Sequence, residues 1–259
     1  MPGSWDRRIR RAEQCAGDGG PATSLLTFYA RLLRRQKAVY DALEGHRLSG
    51  ALEGDLPLFR QAVSPLLRDV AEHGPNQLTA EARRLMEDDS SIDDTLLAYW
   101  HARDDRQFFA KAILQPYGQS LADAGVVPIR DSAAGVDNRC PRCAGAPQLS
   151  ILEAAPSTLA DAGNRQLLCA TCLTTWSFRR VLCPYCGEED ERKLGYFQSP
   201  ALEHVRVDAC ESCRRYLKTI DLGRLGLAVP LVDEVAGASL DIWAHERGYE
   251  KIELNLVGL

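Results

Sequence analysis

The chain predicts an α+β fold, with an all-α helical N-terminal domain, two tandem antiparallel β modules each clamped by a metal ion, and a C-terminal helix. Two observations carry this expectation. Apolar residues recur at three- and four-residue steps through the first half, and eight of the nine cysteines form four Cys-x-x-Cys pairs between Cys140 and Cys213 in the second. The first pattern belongs to amphipathic helices. In the second, a two-residue gap lets both thiolates of a pair face one tetrahedral ion, and two pairs complete its shell.

The elements follow in order. Leu25, Phe28, Tyr29, Leu32, Leu33, Val39, Tyr40 and Leu43 mark a helix whose other face carries Arg31, Arg34, Arg35 and Lys37, with Ser24 as its cap. A second helix covers residues 58–72, kinked at Pro65 and closed by Gly74 and Pro75, and a third runs over 79–87. The longest starts near Ser91 or Asp93, carries Leu96, Leu97, Tyr99, Trp100, Phe108, Phe109, Ile113 and Leu114, and is broken or kinked by Pro116. Its apolar stripe reads as core rather than as a docking face. The turn-prone stretch 125–138 is the domain boundary. Beyond it, β-rich runs at 166–168, 174–182, 193–198, 204–208 and 215–221 flank the cysteine pairs, the third and fourth as a hairpin. Pro230, acidic Asp233 and Glu234, and the stripe Val232, Val235, Ala236, Leu240 and Trp243 mark a last helix ending at Gly248; the tail beyond it reads as extended. The domains are therefore residues 1–125 (helical), 126–138 (linker), 139–181 and 182–229 (the two four-cysteine ribbons), and 230–259 (helix and tail).

The pairs are Cys140/Cys143, Cys169/Cys172, Cys183/Cys186 and Cys210/Cys213. The gap from Cys143 to Cys169 nearly equals that from Cys186 to Cys210, and the gap from Cys172 to Cys183 is much shorter, so the chain reads as one unit repeated. Duplication favours sequential pairing, with Cys140, Cys143, Cys169 and Cys172 as metal ligands of site one and Cys183, Cys186, Cys210 and Cys213 of site two; spacing alone leaves an interleaved scheme open. Cys183-Pro-Tyr-Cys186-Gly187 has the form of a rubredoxin knuckle, and Cys140-Pro-Arg-Cys143 approaches it with Ala144 in the usual glycine's place. The modules are thus rubredoxin-like or zinc-ribbon-like, and tetrahedral sulfur accepts both iron and zinc. Such a ribbon has too little apolar surface to stand alone, and a four-thiolate site contributes on the order of 10 kcal/mol to folding. Four tandem pairs argue against dithiol redox chemistry, and a shell closed by four protein sulfurs leaves no position for hydrolytic water, so no catalytic residue is expected. His204 lies near the fourth pair but both shells are already filled. Cys15, in a Gly-rich stretch, reads as a free surface thiol without an activating motif.

Composition narrows the function. The 259 residues are 45% hydrophobic and 26% charged, which suits one or two globular domains. The roughly 18 apolar residues that a membrane span requires never occur in a row. The N-terminal Arg7, Arg8, Arg10 and Arg11 lack the apolar segment of a twin-arginine signal, so the chain is expected to stay in the cytoplasm, where paired cysteines hold metal rather than form disulfides. The net charge is −5, and residues 137–259 hold 14 Lys and Arg against 17 Asp and Glu. That balance opposes nucleic-acid binding, which uses a basic face.

At CPRC, LLCATCLTTW, RRVLCPYC, DACESCRRYLKTID and the closing GYEKIELNLVGL, the chain resembles the formate dehydrogenase accessory proteins, the FdhE family. The likeness runs from Cys140 to the C-terminus, and in it Cys169 to Trp176, Arg180, and Ala209 to Lys218 occupy recurrent positions. Thr175, Ala144 and Asn255-Leu-Val depart from the family pattern. The N-terminal half is less similar. The resemblance implies a cytoplasmic maturation factor, a chaperone without enzymatic activity, that binds the catalytic subunit of respiratory formate dehydrogenase before export. It also implies two metal ions, with iron favoured and zinc the alternative. It is compatible with a homodimer and implies neither nucleic-acid binding nor membrane insertion. Trp176, Arg179, Arg180 and Tyr185 are the candidate partner-binding residues, with Tyr196, Phe197 and Tyr216 beside them, because aromatics and Arg dominate binding hot spots. Core burial is the rival reading: it is favoured for Tyr196 and balanced for Trp176. The alternative function is a rubredoxin-like electron carrier acting on the same enzyme, and the third a nucleic-acid-binding ribbon protein.

Overall fold

The computed structural model describes residues 4–87, 89–102, 107–129, 138–153 and 164–258. Residues 130–137, most of the anticipated linker, lie outside the described residues. The N-terminal part consists of α1 (Ser4–Gly17), α2 (Thr23–Ala42), α3 (Leu52–His73), α4 (Asn76–Glu87), α5 (Asp89–His101) and α6 (Phe108–Asp123). Trp5, Leu33, Phe59, Trp100, Phe109 and Tyr117 are among the buried residues of its core.

Several helices differ from expectation for identifiable reasons. α1 buries only Trp5 and Ala12 along an arginine-rich sequence, a stripe too thin to read by periodicity. It takes in Cys15, which is half-buried against the helical core rather than free in a loop. α2 is preceded by Ala22, and no side chain caps it, so Ser24 already lies inside the helix. The single long helix is two, α5 and α6, and the Trp100 and Tyr117 rings meet at 5.1 Å. One straight helix would hold those residues about 25 Å apart, so burying both aromatic stripes on each other requires the chain to reverse.

Pro116 stays inside α6. A proline leaves the carbonyl four residues earlier without its helical donor, and here the buried Gln36 Nε2 donates to Ala112 O at 2.8 Å in its place. Residues 109–121 of α6 are all buried, the signature of a helix enclosed on every side.

The second half forms one sheet. Its strands are β1 (Pro147–Leu152), β2 (Arg165–Cys169), β3 (Thr175–Ser177), β4 (Leu194–Gln198), β5 (Val205–Cys210), β6 (Arg215–Asp221) and β7 (Glu250–Lys251). The order is β3-β2-β1-β6-β5-β4, with β7 also beside β6. Each antiparallel ribbon, β1-β2-β3 and β4-β5-β6, belongs to one cysteine cluster, and a parallel pairing of β1 with β6 joins them. The sequence patterns do not anticipate β1, and of the run 174–182 only β3 is strand.

The last helix is likewise two, α7 (Pro230–Ala236) and α8 (Ala238–Glu246), separated at Gly237. The buried Lys218 Nζ donates to the carbonyls of Glu234, at the end of α7, and Gly237, satisfying acceptors that a helix C-terminus exposes.

Long-range polar contacts close the two halves together. Arg11 of α1 clasps the buried Asp233 of α7 with Nε at 3.1 Å and Nη2 at 2.6 Å, and His204 Nε2 lies 2.8 Å from the same carboxylate. Burial pushes the Asp233 carboxyl up, but His204, Arg11 and the Val229 N–H outweigh it and hold it below its usual range. His204 is thus engaged by Asp233, away from the cysteines. Val229, Val232, Val235 and Leu256 enter the helical core, and the tail, extended only at β7 and bent and turned beyond it, is strapped by Lys111 Nζ, 2.7 Å from Glu253 Oε1.

Candidate metal centres

The eight paired cysteines gather into two clusters, Cys140/Cys143/Cys169/Cys172 and Cys183/Cys186/Cys210/Cys213, with the sulfurs of each within 4.8 Å of one another. This is the sequential combination. Four sulfurs each about 2.3 Å from a central ion stand about 3.8 Å apart, and here Cys140–Cys172 and Cys143–Cys169 stand 3.6 and 3.4 Å apart and Cys183–Cys213 and Cys186–Cys210 3.8 and 3.7 Å. All eight are free thiols. The donor set and its size fit a tetrahedral ion in both clusters.

The backbone repeats one device four times. The residue after the second cysteine of every pair has positive φ: Ala144 (51°), Leu173 (56°), Gly187 (76°) and Arg214 (57°). This left-handed residue turns the chain back sharply, so that the N–H groups of Ala144, Gly187 and Arg214 donate to the carbonyl of the first cysteine at 2.8, 3.1 and 2.9 Å. Only glycine adopts that conformation freely. Ala144 therefore takes up the knuckle geometry without the glycine that the motif suggests. Within the knuckles, the N–H groups of Thr171 and Tyr185 point at Cys169 and Cys183 sulfur at 3.3 and 3.5 Å, and Thr174 Oγ1 lies 3.2 Å from Cys172 Sγ. The two backbone N–H donors favour thiolates at Cys169 and Cys183. Burial opposes them, pushing the Cys169 thiol well up and the Cys183 thiol to about 11.

The clusters differ in setting. All four cysteines of the first are buried, whereas in the second Cys186 is exposed and Cys213 half-exposed. The first is sealed by α6. Gln115 Nε2 donates to Ala170 O at 2.9 Å, and a Cβ on Gly118 would stand 2.6 Å from Thr171 O and 3.3 Å from the Cys172 Cα. Helix and knuckle thus touch backbone to backbone, a contact that cysteine spacing could not disclose. Replacing an interior glycine by alanine normally favours a helix by about 1 kcal/mol. Gly118→Ala is instead expected to destabilise by about 2 kcal/mol, the overpacking cost outweighing the gain, with earlier loss of one metal equivalent, read by thermal melting and metal analysis. An unchanged or raised Tm would contradict this close approach.

The partner-binding candidates fall in unlike environments. Trp176 is half-buried against the first cluster. Arg179 is exposed and paired with Glu189 at 2.7 Å, and Arg180 is exposed. Tyr185 is 45% exposed, with the Arg215 guanidinium 4.4 Å from its ring centre. Tyr196, expected in the core, is 65% exposed, because its strand turns Phe197 rather than Tyr196 toward the Trp243 ring. Tyr216 is core, its hydroxyl donating to Asp241 at 2.9 Å. A residue with no sequence signal organises this surface. The buried Arg165 donates from Nη1 to the carbonyls of Arg179, Arg180 and Leu182 at 3.4, 3.2 and 3.3 Å, and from Nε to Ser150 Oγ at 3.1 Å.

Comparison with known proteins places these features. Residues 181–257, the second cluster through the tail, match the family model described as FdhE, C-terminal domain. A protein FdhE homolog from Aquifex aeolicus is 33% identical over 210 residues, 80% of this chain and 72% of the relative. Another, from Haemophilus influenzae, is 26% identical over 206 residues, 76% of this chain and 66% of the relative. The crystal structure of the FdhE protein from Pseudomonas aeruginosa superposes with a TM-score of 0.70 over 99% of this chain and 96% of that one, at 23% identity, which shows a shared fold. With a relative one-third identical over most of both chains, and with the same fold in a solved family member, this chain belongs to the FdhE family.

Proposed function

We propose that this protein is a non-catalytic accessory factor that binds the catalytic subunit of a respiratory formate dehydrogenase in the cytoplasm and assists its assembly before export. The observation that carries the reading is the closure of both cysteine clusters. Four protein sulfurs converge on each centre, so an ion held there has no ligand position left for water or substrate. Family membership supports the formate dehydrogenase connection, and the helices available among the described residues are none of them long and apolar enough to cross a membrane.

In this reading Cys140, Cys143, Cys169 and Cys172 hold one ion and Cys183, Cys186, Cys210 and Cys213 the other, iron being favoured over zinc. The ions supply folding free energy and rigid geometry. The chain's own residues do the rest: the left-handed knuckle residues turn the sulfurs inward, Arg165 fixes the segment between the clusters, and Trp176, Arg179, Arg180 and Tyr185 face the client. The division into a helical domain at 1–125, ribbons at 139–181 and 182–229, and a closing segment at 230–259 belongs to the same proposal. Co-purification with the tagged catalytic subunit from a host expressing both is the expected result. A deletion strain with undiminished formate dehydrogenase activity would defeat the proposal.

The exposure of Cys186 favours a second reading, an electron carrier, since a surface thiolate brings a redox ion close to a partner. Reversible absorbance changes on reduction and reoxidation of the anaerobically purified protein would support it. Tightly held zinc without such changes removes it.

A further inference from the structure

The sheet has two unlike faces. α7 and α8 cover one, over Val205, Val207, Tyr216, Ile220 and Leu149. The other carries a polar row in which Thr219 Oγ1 donates to Asp208 at 2.6 Å and lies 3.0 Å from Ser150 Oγ, which also accepts from Arg165. The Arg165 anchors hold the segment between the clusters over this second face. Between that segment and β4–β5 lies a cleft of about 140 Å³, room for about five water molecules at liquid density, the size of one or two side chains rather than of a large cofactor.

Its walls combine apolar and cationic groups. Val181, Leu182, Leu194 and Tyr196 provide apolar surface, and four arginines (165, 180, 206 and 215) line it against two acids, Asp208 and Glu191. The charges are not equally available. Asp208 is already shared by Arg165 at 3.4 Å and Arg206 at 2.8 Å, and Arg215 pairs with Glu250 at 3.1 Å. Arg180 is exposed at the rim, and among the described residues no carboxylate pairs with it. The Arg206 guanidinium lies 5.0 Å from the centre of the exposed Tyr196 ring, an Arg–aromatic stack of the kind that dominates binding hot spots. β4 is also a terminal strand of the sheet, so its outer backbone edge faces away from the ladder, as in proteins that bind extended peptides by strand addition.

We propose that this cleft receives an extended segment of a partner polypeptide carrying one carboxylate side chain beside an apolar one, the carboxylate meeting Arg180 and Arg206 and the apolar group packing on Val181 and Tyr196. The proposal rests on the reading of this protein as one that grips a polypeptide client, and it locates the grip. Small volume selects a side chain, the excess of arginine selects its charge, and Glu191 disfavours a run of several acids.

The test uses the full metal-loaded chain and short overlapping peptides tiling the formate dehydrogenase catalytic subunit of the same cell. Peptides with a single Asp or Glu next to an aliphatic or aromatic residue are expected to bind. Arg180→Glu and Tyr196→Ala should each weaken them at least tenfold, with Tm and metal content unchanged, and added salt should weaken the wild-type interaction. Arg179→Glu, outside the cleft, should have a smaller effect than Arg180→Glu. Intact subunit bound by the wild type but equally well by Arg180→Glu and Tyr196→Ala would overturn the cleft and leave the accessory role standing. Acidic–apolar peptides bound in the predicted manner, with no binding of the intact subunit, would uphold the cleft and defeat that role. Failure to bind any peptide, or an equal preference for peptides without an acid, would also overturn the cleft.

Discussion

Metal is expected to leave this protein in two separated phases, the second cluster first. Cys186 is exposed and Cys213 half-exposed, while the first cluster is buried under α6, so a chelator reaches the second ion before the first. The phases should differ in consequence as well as in rate. A four-thiolate site contributes on the order of 10 kcal/mol to folding, and the knuckle of the first cluster contacts α6 through Ala170 and Thr171. Loss of the first ion should therefore loosen the helical core too. Cys143→Ser is expected to abolish cooperative unfolding of the second half and to lower the helical Tm, whereas Cys186→Ser should retain one metal equivalent and a cooperative helical transition. Stoichiometry followed through a chelator titration, with circular dichroism at each step, provides the measurement. Release of both ions in one step, or release from the buried cluster first, would refute the assignment of unequal protection.

The second large effect is expected from Lys218→Met. Lys218 is fully buried and donates to the Asp241 carboxylate as well as to the Glu234 carbonyl. Around it, Lys251 donates to Glu234 and lies 3.4 Å from Asp241, Gln148 donates to Glu234 at 2.6 Å, and Tyr216 donates to Asp241. Burial and the neighbouring Lys251 charge pull the Lys218 ammonium down to about 8 despite its two acids. Removing one cation from this balanced group leaves a carboxylate buried with half its compensation, a loss of about 3–5 kcal/mol. Lys218→Met/Asp241→Leu removes one charge of each sign and should recover much of that loss, since matched apolar replacements of buried pairs are often close to neutral. Urea denaturation of the three proteins would show this. A destabilisation by the single variant of under about 1 kcal/mol, far below the cost of an uncompensated buried charge, would mean that the network does not bind β6 to α7 and α8.

The cluster residues are legible because their chemistry is written locally. A Cys-x-x-Cys gap constrains two sulfurs whatever surrounds them, and the near-equal separations of Cys143 from Cys169 and of Cys186 from Cys210 point to sequential pairing. Leu32, Leu33 and Val39 announce core by helical period alone. The thin stripe of α1 does not, since Arg8 and Arg11 find their partners Gln119 and Asp233 far along the chain, beyond the reach of any local pattern.

Local sequence by itself marked the main helices of the first half and the eight paired cysteines, because periodicity and pair spacing act over a few residues, and it favoured the sequential grouping that the clusters show. Tertiary structure alone decided the fusion of two ribbons into one sheet through β1 and β6, the sealing of one cluster by Gly118 and Gln115, and the cleft anchored by Arg165. Each of these depends on which distant backbone groups compete for the same donor or the same space, as Pro116 illustrates: it persists within α6 because Gln36, on the separate helix α2, supplies the hydrogen bond that it cannot.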